Sequence, residues 1–176
     1  MGTESHLEIL MQGASTWNAW RAANSSLRPN LRDADLTGAD LRGFDLCFFG
    51  GFGGGVDLRG ARLNKAELTG ADLRCADFSG AMLEYANLRG ANLGGTELAG
   101  TRLGHADLSN AQLGDFVGAV LHDATLHGAR AASVDGSYAD LSRANLCGAV
   151  FTIFKMHDLT ARTSPAPLFQ TAEFLG

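Results

Sequence analysis

The chain has 176 residues, with 19 acidic and 14 basic side chains and a formal net charge of −5. This charge disfavours electrostatic attraction to nucleic acid, so we expect no direct nucleic-acid binding. No stretch is long and apolar enough to predict a membrane span, and no basic-then-apolar signal peptide opens the chain. A single domain in the cytoplasm is expected. The three cysteines (Cys47, Cys75 and Cys147) show no metal-binding spacing and are interpreted as reduced thiols.

Residues 1–30 have the pattern of a helix. Ser5 and Glu8 form a capping-box signature, and apolar residues then recur at helical spacing: Leu7, Leu10, Met11, Ala14 and Trp17. We expect this helix to end at Asn24 or Ser25, because Pro29 forbids its continuation.

A five-residue repeat dominates the centre of the chain. Twelve consecutive Leu or Phe residues stand five apart from Leu58 to Leu113, each with a small residue two places earlier. A period of five fits neither a helix nor a plain strand. Side chains two apart in extended chain face the same way, and Gly or a small polar residue at the fifth place suits a corner. The repeat therefore predicts a chain that turns at every unit and winds into a coil with a Leu/Phe interior.

This pattern resembles the pentapeptide-repeat family, Ala-(Asp/Asn)-Leu-X-X, over roughly residues 33–158. The resemblance implies an all-β solenoid, a right-handed quadrilateral β-helix with four units per coil. We expect three parts: an N-terminal helical cap (1–30), the β-helix (31–160) and a C-terminal tail (161–176). An uncovered first coil would expose unpaired backbone groups, which gives the helix its expected capping role.

A Gly-rich stretch interrupts the repeat between Leu46 and Leu58, which are twelve residues apart where two steps would need ten. We therefore expect two bulged residues, with Phe52 serving as an inward residue and Phe48 or Phe49 exposed on a contact loop. The alternative is a decayed repeat whose phenylalanines fold back.

Beyond Leu113 the spacing predicts the loss of two residues at one corner, because Phe116 follows only three residues later. Ala131 and Gly136 then occupy central places, so a thinly filled coil is expected there. The tail is apolar and predicts either a two-fold dimer contact or self-capping, through Leu168, Phe169, Phe174 and Leu175.

The chain shows no constellation for chemistry. None of the five histidines pairs with Cys or a carboxylate at linear metal-ligand spacing, and the Gly-rich stretch lacks the Lys-Ser/Thr of a phosphate-binding loop. We expect no catalytic residue, cofactor or metal site, and hence a non-enzymatic binding protein.

The outward residues predict one acidic face. If four units make a coil, and Phe52 and Phe116 each count as one unit, this face carries seven outward residues: Asp35, Asp57, Asp77, Glu97, Asp115, Asp135 and Lys155. Six of the seven are acidic. The family resemblance implies a specific use, since some members imitate duplex DNA and protect a type II topoisomerase (gyrase) from inhibitors. One acid per coil of about 4.8 Å is sparser than the charges of DNA, about one per 1.7 Å. The alternatives are a scaffold for another partner and a face that only keeps the rod soluble.

Overall fold

A computed structural model describes residues 5–47, 55–132 and 134–151, together with the backbone of 154–155 and 173–174. The N-terminal region forms two helices, α1 (His6–Met11) and α2 (Ala14–Ala23), so the prediction of one continuous helix is wrong. The break falls at Gly13, whose φ of 101° suits glycine. The capping box at Ser5 and Glu8 is confirmed, and α2 ends at Asn24 as one of the two predicted positions.

The side chains of α2 bond to the backbone of the coil that follows. Trp17 Nε1 donates to the Asp45 carbonyl at 2.6 Å, and Asn18 Nδ2 donates to the Gly43 carbonyl at 2.8 Å. Arg21, which is buried, donates to the Cys47 carbonyl at 2.7 Å. Asn18 also accepts from the Asp45 N–H at 2.7 Å. These bonds satisfy backbone groups that a preceding coil would otherwise serve.

Most of the chain is held together by single-residue parallel bridges arranged in four ladders. Between residues 57 and 112 the bridged residues stand twenty apart, which is four five-residue units. We number the ladders by their outward residues. Ladder 1 contains Asn30, Asp57, Asp77 and Glu97; ladder 2 contains Asp35, Arg62, Met82, Arg102, Val120 and Asp140; ladder 3 contains Asp40, Glu67, Asn87, Asp107, Thr125 and Asn145; ladder 4 contains Asp45, Asp72, Asn92, Gln112 and Arg130.

Each unit is built from three positions with separate tasks. The central Leu or Phe and the small residue two places earlier are buried, as at Ala76 and Phe78. The fifth residue turns the corner with a positive φ, as at Gly80 (68°). At many corners the outward Asp or Asn accepts the N–H two residues later; Asp77, for example, accepts from Ser79 N at 3.0 Å. The preference for Asp and Asn at the outward place therefore has a structural cause.

The bridges correct the predicted length of the Gly-rich insertion. Asn30 pairs with Asp57 and Asp45 pairs with Asp72, and each pair is 27 residues apart rather than 20. Seven residues are therefore inserted between the units of Leu46 and Leu58, not two. The ladders leave no place for a further unit in this interval, so the count that assigned one to Phe52 is wrong.

The prediction of two lost residues after Leu113 is confirmed. Arg102 pairs with Val120, Asp107 with Thr125 and Gln112 with Arg130, and each pair is 18 residues apart. The spacing returns to 20 from Val120 to Asp140. The coil above this corner has a small central residue at Gly136, but a Cβ there would meet Phe116 Cε2 at 2.6 Å. The Phe116 ring thus fills the space that a larger residue 136 would need.

Five two-residue strands lie in the C-terminal part of the described chain: β1 (Arg130–Ala131), β2 (Val134–Asp135), β3 (Val150–Phe151), β4 (Phe154–Lys155) and β5 (Glu173–Phe174). They form parallel sheets in the order β1-β3-β5 and β2-β4. The C-terminal strand β5 thereby extends ladder 4 beyond Val150. None of the helices in the described residues has the length and apolar character needed to cross a bilayer.

Candidate functional site: an acidic ladder beside a surface crevice

Ladder 1 brings together most of the acidic residues predicted to share a face. Asp57, Asp77 and Glu97 are joined by consecutive bridges. Gly100 N donates to Val117 O and Phe116 N donates to Asp135 O, which places Asp115 next in line and Asp135 above it. Asp35 pairs with Arg62 on ladder 2, so its predicted place on the acidic face is wrong. The cause is the seven-residue insertion, and Asn30 occupies the position instead.

The lower segment of the ladder, Asp57 and Asp77, is buried rather than directed to water. Each residue is only 6% exposed. Arg59 Nε lies 2.8 Å from Asp57 Oδ1 and 3.4 Å from Asp77 Oδ2, and Arg28 Nη2 lies 3.2 Å from Asp77 Oδ2. The hydrogen bond from Arg59 holds the pKa of the Asp57 carboxyl below its ordinary value. Two arginines therefore neutralise these acids, and the expectation that both side chains point to water is wrong.

Arginines also neutralise acids on the other ladders. Asp35 pairs with Arg62 at 2.6 Å and Asp72 pairs with Arg74 at 2.7 Å. Hydrogen bonding to Arg42 lowers the pKa of Asp40 to about 2. Exposed pairs of this kind contribute little to stability, but they shorten the reach of the negative field.

The upper segment, Glu97 and Asp115, is different. Both residues are exposed, and neither forms a salt bridge with any residue that the structure describes. Asp115 Oδ1 accepts the N–H of Asp135 at 2.7 Å, so its carboxylate is held in place while remaining accessible. This segment carries the negative charge that ladder 1 presents to solvent.

An open crevice of about 500 Å³ lies beside the upper segment. Glu97 and Asp115 line it together with glycines, apolar residues and two uncharged polar residues: Gly94, Gly95, Thr96, Leu98, Ala99, Gln112, Leu113, Gly114, Val117 and Ala132. The crevice coincides with the corner that lost two residues. There the backbone approaches the coil below so closely that a Cβ on Gly114 would lie 2.7 Å from Leu93 O.

The repeat itself identifies the protein class. The family model described as pentapeptide repeats matches in eight copies, over residues 30–48, 54–90, 86–114 and 115–152. The chain belongs to the pentapeptide-repeat family. A search of the curated proteins gives no match.

Several proteins of solved structure are similar to this chain at a low level of sequence identity. Rfr23 from the cyanobacterium Cyanothece 51142 is 25% identical, with 82% of this chain and 97% of that chain covered and a TM-score of 0.43. Full-length QnrB1, a plasmid-mediated fluoroquinolone resistance protein, is 23% identical, with 84% of each chain covered and a TM-score of 0.34. HetL from Nostoc sp. strain PCC 7120, which is involved in heterocyst differentiation regulation, is 24% identical, with 92% of this chain and 94% of that chain covered and a TM-score of 0.20.

Two other predicted contact regions of this pentapeptide-repeat protein fall largely outside the described residues. Phe48, Phe49 and Phe52 of the predicted contact loop lie outside them, as do Leu168, Phe169 and Leu175 of the tail. The backbone of Phe174 is described and pairs with Phe151 through β5. This pairing favours the self-capping interpretation for that short strand, and dimerisation stays a prediction.

Sequence inspection missed one cluster of side chains that the pentapeptide-repeat coil assembles. His105, His122 and Asp123 each offer a ligand atom within 4.8 Å of the others. Linear spacing hides this cluster, because the residues belong to successive coils. The 18-residue step across the shortened corner, applied to His105, leads to Asp123 and would have revealed it.

The cysteines are thiols and not disulfides. Cys47 is buried, and its Sγ donates to Asp45 Oδ1 at 3.2 Å. Burial, reinforced by the Asp45 carboxylate, raises the pKa of the Cys47 thiol to about 12. Cys75 occupies an exposed corner. Cys47 therefore behaves as a core residue and not as a nucleophile.

Proposed function

We propose that this pentapeptide-repeat protein is a non-enzymatic binding protein that uses the crevice and the upper segment of ladder 1 to dock a basic partner. The observation that carries the proposal is the exposure of Glu97 and Asp115 at the rim of an apolar crevice. An apolar recess with a few charged groups at its rim is the usual composition of a binding site. Charges at the rim increase the association rate and select the partner.

The specific partner we propose is a type II topoisomerase, gyrase, whose DNA-binding groove is basic. The support is the acidic ladder together with the family resemblance. The pairing of Asp57 and Asp77 with arginines limits the proposal to the upper segment, because neutralised carboxylates imitate phosphates poorly. The alternative is a scaffold that docks a different partner at the same crevice.

A gyrase supercoiling assay, with and without a quinolone, tests the topoisomerase proposal. We expect the parent protein to change supercoiling or to relieve the quinolone block, and the double variant Glu97→Gln with Asp115→Asn to lose that effect. The matched control is Asp40→Asn with Asp140→Asn, which removes two charges from ladders 3 and 2 while leaving amide oxygens at the corners.

The outcomes separate the alternatives. Equal loss in both double variants would show that net charge matters and the upper segment does not. If the parent protein has no effect on gyrase, the topoisomerase proposal fails and the scaffold remains. A photo-crosslinking residue at Val117, which lines the crevice, would then test whether a partner occupies it.

We also propose the finer architecture that the resemblance implies: right-handed winding of the four ladders, an N-terminal cap at 1–30, a β-helix at 31–160 and a tail at 161–176 that either caps the last coil or forms a homodimer. The bonds from α2 to the first coil support the cap. A crystal structure would test the handedness. Light scattering would test the dimer, which Phe169→Glu with Phe174→Glu should convert to monomers, and a monomeric parent protein would end that proposal.

A further inference from the structure

The corners that follow ladder 2 are unusual because bulky side chains occupy most of them. The fifth residue of each unit has a positive φ, a conformation that favours glycine. Five successive corners along this ladder nevertheless carry other residues, all with φ between 57° and 62°: Lys65, Tyr85, His105, Asp123 and Arg143. Non-glycine residues are uncommon in this region, although Asp and His are enriched among them. A continuous column of side chains results.

Within this column, His105, His122 and Asp123 converge. His105 Nε2 lies 3.9 Å from Asp123 Oδ2, and the ring centroids of His105 and His122 are 5.1 Å apart. The backbone holds the two coils in register here, because His105 N donates to the His122 carbonyl at 3.0 Å. All three ligand atoms lie within 4.8 Å of one another.

His122 has a nitrogen with no protein partner. Its Nδ1 is buried and makes no hydrogen bond to any residue in the described part of the chain. The imidazole lies directly over Gly104, where a Cβ would approach His122 Cε1 to 2.2 Å and Nδ1 to 2.7 Å. Glycine at position 104 therefore leaves the space that the ring occupies. A buried nitrogen without a partner calls for a ligand or a water.

The other two side chains are each positioned by a neighbour. Tyr85 stacks on His105, with ring centroids 4.7 Å apart and an interplanar angle of 6°. Arg143 Nε forms a salt bridge with Asp123 Oδ1 at 2.7 Å, and the other carboxylate oxygen, Oδ2, lies on the side of His105. Metal-binding residues are commonly oriented by an outer layer of this kind.

We propose that His105, His122 and Asp123 bind a divalent transition-metal ion of the zinc class. Two imidazoles and one carboxylate are ligands that Zn²⁺ accepts, with metal–ligand distances of about 2.0–2.2 Å and water at the remaining position. Such distances place tetrahedral ligand atoms about 3.3 Å apart. Metal binding would therefore draw the His105 ring and the Asp123 carboxylate closer together through small side-chain rotations. The site faces ladder 2, so it is independent of the docking surface on ladder 1.

Titration of the folded chain with Zn²⁺ by calorimetry, and with Co²⁺ by visible absorption, tests this proposal. Both are run in a Cys75→Ser background, which removes the exposed thiol as a competing ligand. We expect one ion per chain, a tetrahedral cobalt spectrum without a thiolate band, and a higher melting temperature in Zn²⁺ because the ion binds the folded chain. His122→Phe, His105→Gln and Asp123→Asn should each weaken binding at least tenfold.

Two further variants discriminate a specific site from general affinity of histidines. His127→Gln removes an exposed histidine outside the cluster and should leave the affinity unchanged. Gly104→Ala introduces the Cβ that meets the His122 ring and should weaken binding while all three ligands remain. Absence of binding at micromolar Zn²⁺, or equal weakening by His127→Gln and His122→Phe, would overturn the proposal. Metal-free melting curves and circular dichroism show that each variant is folded.

Discussion

The lower and upper segments of ladder 1 place the same kind of residue in two different roles. Asp57 and Asp77 are buried beneath Arg28 and Arg59, and they support the corners of the coil. Glu97 and Asp115, the next two outward residues, are exposed beside a crevice and form no salt bridge with a described residue. A stripe of acids in the sequence is therefore not a stripe of charge on the surface. The basic residues nearby decide which acids remain available to a partner.

Removing one carboxylate from each segment should give the largest contrast in stability. Asp77→Ala deprives Ser79 N of its acceptor and leaves two guanidinium groups without that partner. We expect a loss of about 1–3 kcal/mol in the free energy of unfolding. Glu97→Ala, one coil above, should change it by less than about 0.5 kcal/mol. Urea denaturation measures both, and equal losses would show that the two segments do not differ structurally.

For binding, the contrast should reverse. Once a partner is identified, Glu97→Gln with Asp115→Asn should weaken its affinity roughly tenfold, which corresponds to about 1.4 kcal/mol. The affinity that remains should depend less on salt concentration, since exposed charges are the ones that salt screens. Asp57→Asn should leave the affinity within about twofold, because its charge is already neutralised by Arg59. A larger effect of Asp57→Asn would place the contact in the lower segment.

Acid should remove the stability that Asp57 contributes through Arg59. The pKa of Asp57 is lower in the folded chain than its ordinary value because of Arg59. Such a group contributes stability above its unfolded pKa of about 3.9, and this contribution is lost as the pH falls towards the folded value. Arg59→Gln should therefore lower the urea midpoint at pH 7 and reduce the further drop between pH 7 and pH 3. An unchanged drop in the Arg59→Gln variant would contradict the assignment to Arg59.

The smallest expected effect concerns Asp115, whose Oδ1 accepts the N–H of Asp135. Asp115→Asn keeps an oxygen at this place and should leave stability within about 0.5 kcal/mol. Asp115→Ala removes the acceptor and should cost about 0.5–1.5 kcal/mol. If both variants are equally stable, the hydrogen bond contributes nothing and Asp115 belongs to the surface alone.

The repeat made the coil predictable, because a buried residue every five positions allows few other solutions. The shortened corner was predictable for the same reason, since Leu113 and Phe116 are both apolar and only three apart. The register of the repeat across the Gly-rich insertion was not predictable. Phe52 offered an apolar residue at nearly the right place, and hydrophobic spacing could not show that the chain passes from Leu46 to Leu58 within one step of the coil.

The candidate site was less predictable than the fold. Asp57 and Asp77 are buried beneath Arg28 and Arg59. Arg28 lies 49 residues from Asp77 along the chain, so sequence spacing does not reveal their contact. The spacing of Leu113 and Phe116 locates the shortened corner, but it does not show that a crevice opens there beside Gly114. The His105–His122–Asp123 cluster needs the 18-residue step, which becomes apparent only after the ladders are counted. Long-range charge pairing and surface crevices carry little local signature in the sequence.

The bonds from α2 to Asp45 and its neighbours have a consequence for self-assembly. Without Trp17, Asn18 and Arg21, the first coil would present unsatisfied carbonyl and N–H groups, as any coil in the middle of the rod would if it were cut open. Unpaired strand edges are templates for pairing with other chains. Pairing with a non-equivalent edge of a second molecule is head-to-tail, and such a contact propagates where the rotation does not close it. A chain lacking residues 1–23 should therefore form fibres whose length grows with protein concentration, visible by sedimentation and electron microscopy, whereas the intact chain should not. A helix of ten residues then decides between a particle of fixed length and a polymer.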